Sequence, residues 1–273
     1  MSSIINLKDK KGIVLGIAND KSIAWGIADQ LNQLGASLAF SYVNDSIKKR
    51  VVPLAKTCNS EMVFECDVKD DKSIDQFFSE ISKEWSSIDF IVHSIAFSDK
   101  NELKGGYIET TRENFINTLN VSCYSFTAIC QRARKLMNKG GQILTLSYLG
   151  AERVMPHYNV MGIAKSALET SVKYLAEDLG RENIRVNAIS AGPIKTLAAS
   201  GISDFRYILK WNEFNSPLRR SITIKEVGKN ASYLLSDLSS GVTGEVVHVD
   251  CGYHIVGMKA VDAPDISVEN KEE

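Results

Sequence analysis

The sequence predicts a single α/β domain on a doubly wound parallel sheet of about seven strands, with helices on both faces. Two observations carry that expectation. Short apolar runs alternate with helical patterns along nearly the whole chain, and such alternation closes as a parallel sheet between two helical layers. The first run leads into a glycine-bearing turn and a helix start, the place where doubly wound folds bring backbone up to a ligand. The 273 residues suit one large domain, and no linker, repeat or composition shift marks a second.

The elements follow in order. GIVLGIA (12–18) is a compact run suited to a strand buried on both faces. Ser22 reads as an N-cap, Ile23, Ile27, Leu31 and Leu34 recur at helical spacing, and Gly35 suits the stop. SLAFSY (37–42) is a second strand and MVFECDV (62–68) a third; Lys48, Lys49 and Arg50 between them read as a solvated helix face. A helix is expected over 73–85, a fourth strand over 88–96 and a long helix over 111–138, broken by Gly140-Gly141. QILTLSY (142–148) is strand five, and the next helix carries Tyr158 and Lys165 to about Leu179. Strand six covers 184–190, and 196–212 reads as irregular. Thr223-x-x-Glu226 is a capping box opening one more helix, and EVVHVD (245–250) is strand seven. The domain therefore spans 1–258. Residues 259–273 form a polar, acidic tail with the composition of a disordered segment.

Composition excludes several classes. Apolar content of 44% and charged content of 24% are those of a globular protein, and a formal net charge of -1 supplies no basic field for nucleic acid. No stretch has signal-peptide form, and none reaches the roughly 18 to 20 apolar residues of a membrane span. Five cysteines, an odd number without a C-x-x-C pair, argue against a disulfide framework. Cys123 and Cys130 are expected to share a helical face in the core. The 4 histidines lack metal-ligand spacing, so no metal is expected. A reduced, cytoplasmic setting fits these features.

Candidate chemistry gathers at the strand ends. GIANDKSIAWG (16–26) lies between the first strand and first helix but is longer than G-x-G-x-x-G. Ser22 there suits either a helix cap or a phosphate contact. At the end of strand two, Val43 can pack beside an adenosine but cannot hydrogen-bond its ribose, and no basic residue immediately follows to pair a 2′-phosphate. NADH is therefore favoured over NADPH, unless Lys48 to Arg50 fold back. Asp67 suits an adenine acceptor or a cap or turn residue. Tyr158 and Lys165 are seven residues apart, close to two helical turns, so both can share a face. An ammonium beside a phenol favours the phenolate. Tyr148, ending strand five, either packs or walls the same cavity. Met161 stands four residues before Lys165, where ordinary short-chain dehydrogenases place their tyrosine.

These residues resemble the bacterial NADH-dependent enoyl-acyl-carrier-protein reductases, a divergent short-chain dehydrogenase/reductase group. The resemblance rests on GIANDKSIAWGIA (16–28), VHSIAF (92–97), LTLSYLGAERVMPHYNVMGIAKSALE (144–169), RVNAISAGPIKTLAASGI (185–202) and TGEVVHVDCGY (243–253), and covers about residues 5–258. It implies a Rossmann-like domain in which Gly16, Ser22, Ile23, Val43, Asp67, Val68, Ile95, Lys165 and residues Ile194, Lys195, Thr196, Leu197 and Ala198 hold the dinucleotide. Val43 stands where many relatives carry glutamine. Substrate contacts are implied for Ser98, Tyr148, Tyr158, Ile202 and Phe205, the last two on a mobile substrate-binding segment near 196–212. The implied reaction reduces a trans-2-enoyl thioester in the last reductive step of each cycle of type II fatty acid elongation. Tyr158 donates to the enolate oxygen, and Lys165 holds the nicotinamide ribose. The implied partners are an acidic acyl carrier protein, met by Arg206, Lys210, Arg219 and Arg220, and further copies of the chain in a homotetramer. A carbonyl-reducing short-chain enzyme and a non-catalytic dinucleotide-binding protein are the rival readings.

Overall fold

The computed structural model describes residues 5–197 and 199–266. Seven strands form one sheet: β1 (Lys11–Leu15), β2 (Ser37–Tyr42), β3 (Val63–Glu65), β4 (Ile88–His93), β5 (Met137–Ser147), β6 (Arg185–Ala191) and β7 (Val246–Val249). Their order is β3-β2-β1-β4-β5-β6-β7, and every neighbouring pair is parallel. The helices are α1 (Ile23–Gln33), α2 (Asp45–Thr57), α3 (Asp71–Glu84), α4 (Arg112–Leu119), α5 (Ser125–Ala133), α6 (Asn159–Gly180), α7 (Phe205–Asn215) and α8 (Ile224–Leu234).

Successive strand residues face opposite ways, so burial on both faces demands the unbroken apolar runs seen in the sequence. Ile13, Leu15, Ile91, Ile143 and Ala188 join Phe77 of α3, Phe126 of α5 and Leu168 of α6 in one core. Val14, Phe40, Val92, Leu144 and Ile189 join Ile27 of α1, Val51 of α2 and Val227 of α8 in the other. The chain lays down β1, β2 and β3 outward, then returns to place β4 on the other side of β1. That reversal opens a crevice beyond the carboxyl ends of β1 and β4.

Several expected boundaries are corrected. The first strand stops at Leu15 and the third covers only Val63–Glu65. Residues 45–57, read only as a solvated face, form a full helix with Asn44 as its cap. The expected long helix over 111–138 divides: α4 runs into a π turn at Asn120–Tyr124, then α5 ends at Ala133. Met137 and Asn138 belong to β5, which starts earlier than expected because Met137 pairs with Ile88 before a register shift. Gly140-Gly141 thus lies inside a bulged strand rather than at a helix end. Tyr158 immediately precedes α6 instead of lying within it. Residues 205–215, within and beyond the segment expected to be irregular, form α7. The Thr223–Glu226 capping box is present in both directions.

Candidate active site

The residues expected on the cofactor side follow the carboxyl ends of β1, β2, β3, β4 and β6, with Ser22 and Ile23 at the start of α1. Gly16 follows β1 with φ 96°, and a Cβ there would collide with the carbonyl oxygen of Ser94. Only glycine allows this close approach of two strand ends. Ser22 stands at the N-cap position of α1 but makes no cap bond. Its hydroxyl instead accepts from the N–H groups of Ala18 and Asn19, at 3.0 and 3.1 Å. The serine therefore shapes the loop, while the first N–H groups of α1 point into the crevice end of the sheet.

Val43 follows β2 and is exposed. Lys48, on α2, lies over the Tyr42 ring, 5.2 Å from its centroid, so this one lysine of the basic run reaches the strand end, where its ammonium is engaged by the ring. Asp67 forms a local turn, its Oδ1 accepting from Lys69 N–H at 3.0 Å, and Val68 is buried. Ile95 and Ile194 are half-buried against opposite cores. Lys195 and Leu197 are exposed, and Thr196 Oγ1 accepts from Ala199 N–H. Ala198 lies outside the described residues.

On the substrate side, the Tyr148 and Tyr158 rings meet edge to face, 5.0 Å between centroids and 74° apart. Tyr158 packs with Leu103, Met161 and Ala164, and Ile202 and Met155 lean on the same cluster. Gly150 lets the Tyr158 ring approach, since a Cβ there would strike it. The Tyr148 hydroxyl is buried without a hydrogen-bond partner among the described residues, an unusual and costly state for a polar atom. Lys165 is buried on α6, and its Nζ donates to Leu146 O at 2.7 Å. An ammonium carries three donors, so two remain after that bond.

The electrostatics revise one expectation. Burial pushes the Tyr158 phenol well above its ordinary range, and Tyr148 and Glu169 push the same way. Burial likewise raises Tyr148, with Tyr253 adding to it. Burial brings Lys165 from 10.5 down to about 8, against upward pushes from Cys123 and Glu169. The lowering expected of an ammonium beside the phenol is outweighed: burial favours the protonated form of Tyr158, the form that the implied donor role requires. Glu169, itself raised by burial, accepts from Ser147 Oγ and supplies the negative charge nearby.

The Ser98 hydroxyl serves the fold, whereas the contact that the resemblance implies is with its backbone. Its hydroxyl accepts from Asn114 Nδ2 at 3.1 Å and from Thr118 Oγ1 at 3.0 Å, tying the loop after β4 to α4. Ser122, in the π turn, reinforces this by bonding both N–H and carbonyl of Phe97 at 3.0 Å. Phe205 opens α7 and is half-buried. Between α7 and the turn before Tyr158 lies a cavity of about 190 Å³, walled by Met155, Pro156, Tyr207, Trp211 and Tyr253. Sequence reasoning missed the groups that brace this region, above all His157, Asp204 and Glu169. No spacing rule links them, because they come from separate elements. Among the described residues there is no cluster suited to a metal and no helix long and apolar enough to cross a membrane.

Comparisons with known proteins agree with this geometry. The family model described as enoyl-(acyl carrier protein) reductase matches residues 16–254. The chain is 64% identical over 262 residues to enoyl-(acyl-carrier-protein) reductase (NADH) 1 of Rhizobium meliloti, covering 96% of each. It is 55% identical over 251 residues to enoyl-(acyl-carrier-protein) reductase (NADH) FabI of Rickettsia typhi, covering 92% of this chain and 96% of that one. The crystal structure of the enoyl-(acyl-carrier-protein) reductase from Anaplasma phagocytophilum in complex with NAD superposes with a TM-score of 0.92 at 57% identity, covering 97% of this chain and 100% of that one.

Proposed function

The chain belongs to the enoyl-(acyl-carrier-protein) reductase family, and from that membership we infer how its residues share the work. It is an NADH-dependent oxidoreductase of fatty acid biosynthesis that reduces the trans-2 double bond of enoyl-acyl-carrier-protein thioesters. The residues present suit the dinucleotide. Gly16 leaves no Cβ in the crevice, the α1 N-terminus faces a diphosphate, and Ile95 and Ile194 offer half-buried apolar walls. When bound, NADH supplies the hydride that adds to C3 of the enoyl chain.

Every other part falls to the chain's own side chains. Hydride addition at C3 drives negative charge onto the thioester oxygen, where a preset donor is worth most. Tyr158 is that donor, its proton retained by burial. Tyr148, with a buried hydroxyl lacking a partner, walls the same space and offers a second hydrogen bond. Lys165 uses one N–H on Leu146 O and holds the nicotinamide ribose hydroxyls with the others. The observation that carries the assignment is the Tyr148–Tyr158 pair, with Lys165 buried on the helix that Tyr158 precedes and Met161 in the core at the position where a carbonyl reductase would place its tyrosine.

Residues 199–215, together with the apolar cavity beneath α7, cover the acyl chain in this reading. Carrier protein docks beside Arg206 and Lys210, which are exposed on α7. Arg219 and Arg220 are weaker candidates, being paired with Asp262 and Glu226. The assembly is a homotetramer and the setting cytoplasmic, as the family resemblance implies. Monitoring NADH against NADPH absorbance with crotonyl and longer enoyl thioesters, and with ketoacyl thioesters, tests the reading. Preferred oxidation of NADH by enoyl substrates is expected; no oxidation with any enoyl thioester overturns it.

A further inference from the structure

Asp204 occupies the residue before α7, where an aspartate ordinarily turns its carboxylate onto the first free N–H groups of the helix. Here it makes no cap bond. Its Oδ2 lies 3.1 Å from Nε2 of His157, and Nδ1 of His157 lies 3.3 Å from the carbonyl oxygen of Gly105. His157 directly precedes Tyr158. His157, Asn159 and Asp204 all have left-handed backbone, with φ of 55°, 42° and 57°. Such conformations cost on the order of 1 kcal/mol or more each and persist where the surroundings over-determine them. The surroundings do so here. Asn159 Nδ2 donates to Glu102 O at 3.0 Å, Ser203 N–H donates to Leu103 O at 3.4 Å, and Ile202 packs on the Leu103–Tyr158 cluster.

Three separate stretches of chain therefore meet at one joint: the loop near Leu103, the turn carrying Tyr158, and the leading end of α7. We propose that the His157–Asp204 pair is a latch fastening the leading end of α7 to the Tyr158 turn, so that covering the acyl chain and setting the catalytic tyrosine are one event. This rests on the reading of 199–215 as the acyl-covering segment. His157 is a positioning residue; it acts on the reaction through the backbone of Tyr158. Bound acyl chain itself drives closure, so at saturation the closed form is reached with or without the latch. Its loss then falls on KM rather than kcat.

A charge-order swap tests the latch. Asp and His both tolerate left-handed backbone better than most residues, so His157→Asp, Asp204→His and the double swap keep the local fold. Each single change should raise KM for a dodecenoyl thioester by about threefold, the scale of one partly exposed hydrogen bond, with kcat within about twofold. Each should also speed hydrogen exchange at the amides of residues 199–210 in the cofactor-free chain. The swap should restore both part of the way from the worse single variant toward wild type, since it remakes the 157–204 pair but not the bond of His157 to Gly105 O. His157→Asn, which adds no like charge, should speed exchange in the same direction. The latch is overturned if the swap is no better than the worse single variant, if exchange is unchanged in the singles or in His157→Asn, or if kcat falls while KM holds. A wild-type chain inactive on every enoyl thioester overturns the enzymatic reading instead, and the exchange data then decide the latch alone.

Discussion

Tyr158 holds its proton because water is excluded before any neighbouring charge counts. A buried phenol of that kind is poor as a base and good as a fixed donor. Tyr158→Phe should lower kcat by roughly 10² to 10³-fold, as loss of one preset oxyanion donor does. Tyr148→Phe, which keeps that donor, should cost only about tenfold, the scale of one hydrogen bond. Initial rates of NADH oxidation separate the two, and an unchanged rate in Tyr158→Phe would remove it from the mechanism. Lys165 gives a pH signature. Its folded value near 8 lies below the ordinary 10.5, so the ammonium is lost as pH rises through about 8. The dissociation constant for NADH, measured by fluorescence titration, should climb over that interval; a flat profile from pH 7 to 9.5 would count against the ribose contact. The sign for stability is opposite. Between about 8 and 10.5 the unfolded chain binds the proton that the folded chain has released, so the Lys165 contribution makes stability rise with pH there.

At the scale of elements, the contact of α1 with α8 is the tightest in the helical layers. A Cβ on Gly228 would strike the carbonyl oxygen of Gly26, so Gly228→Ala must push the helices apart. Overpacking of this sort costs about 1–3 kcal/mol, and at roughly 2–4 °C per kcal/mol for a domain of this size thermal unfolding should shift down by several degrees. An unchanged melting temperature would contradict the packing. The elements also show what a sequence discloses. Runs such as Ile13-Val14-Leu15 and the Thr223–Glu226 box were legible because burial on two faces and helix capping each leave a local pattern. The π turn at Asn120–Tyr124 left none. It is held by distant partners, Ser122 on Phe97 and Ser125 on His93, whose other ring nitrogen meets Thr145. The early start of β5 likewise depends on Ile88 as a pairing partner. In α2 the basic run was legible as a solvated helix face, but the extent of the helix was not, since Pro53 lies inside it and a polar cap and one apolar stripe sustain it. In the candidate site, Gly16, Tyr148 and Tyr158 stood out by type and place, and the structure brings the two tyrosines together, whereas the burial of the Tyr158 phenol and the His157–Asp204 pair depend on tertiary contact.

For the whole molecule, the crevice and α7 lie toward the same end of the sheet, so a carrier-borne chain can enter where basic residues stand exposed. Arg206→Glu with Lys210→Glu should raise KM for a carrier-bound substrate by about fivefold or more while sparing a small thioester mimic, since peripheral charges act mainly on encounter. Equal effects on both substrates, in steady-state assays, would reject docking at this face. The strand order has a further consequence, for the chain as it is made. β1 lies inside the sheet, third in the order of seven, and its second neighbour ends at His93. Synthesis from Leu15 to His93 adds 78 residues (93 − 15), roughly 4 to 16 s at about 5–20 residues per second. During that interval one edge of a strand bearing Ile13, Val14 and Leu15 has no partner, and the emerging polypeptide depends on the ribosome's surroundings to keep it from self-association. Once β4 arrives, β5, β6 and β7 join outward in the order of their birth, each onto an edge already complete. The wait of β1 is therefore the longest of its kind; β4, β5 and β6 each leave an edge open for a shorter stretch of synthesis before the next strand covers it.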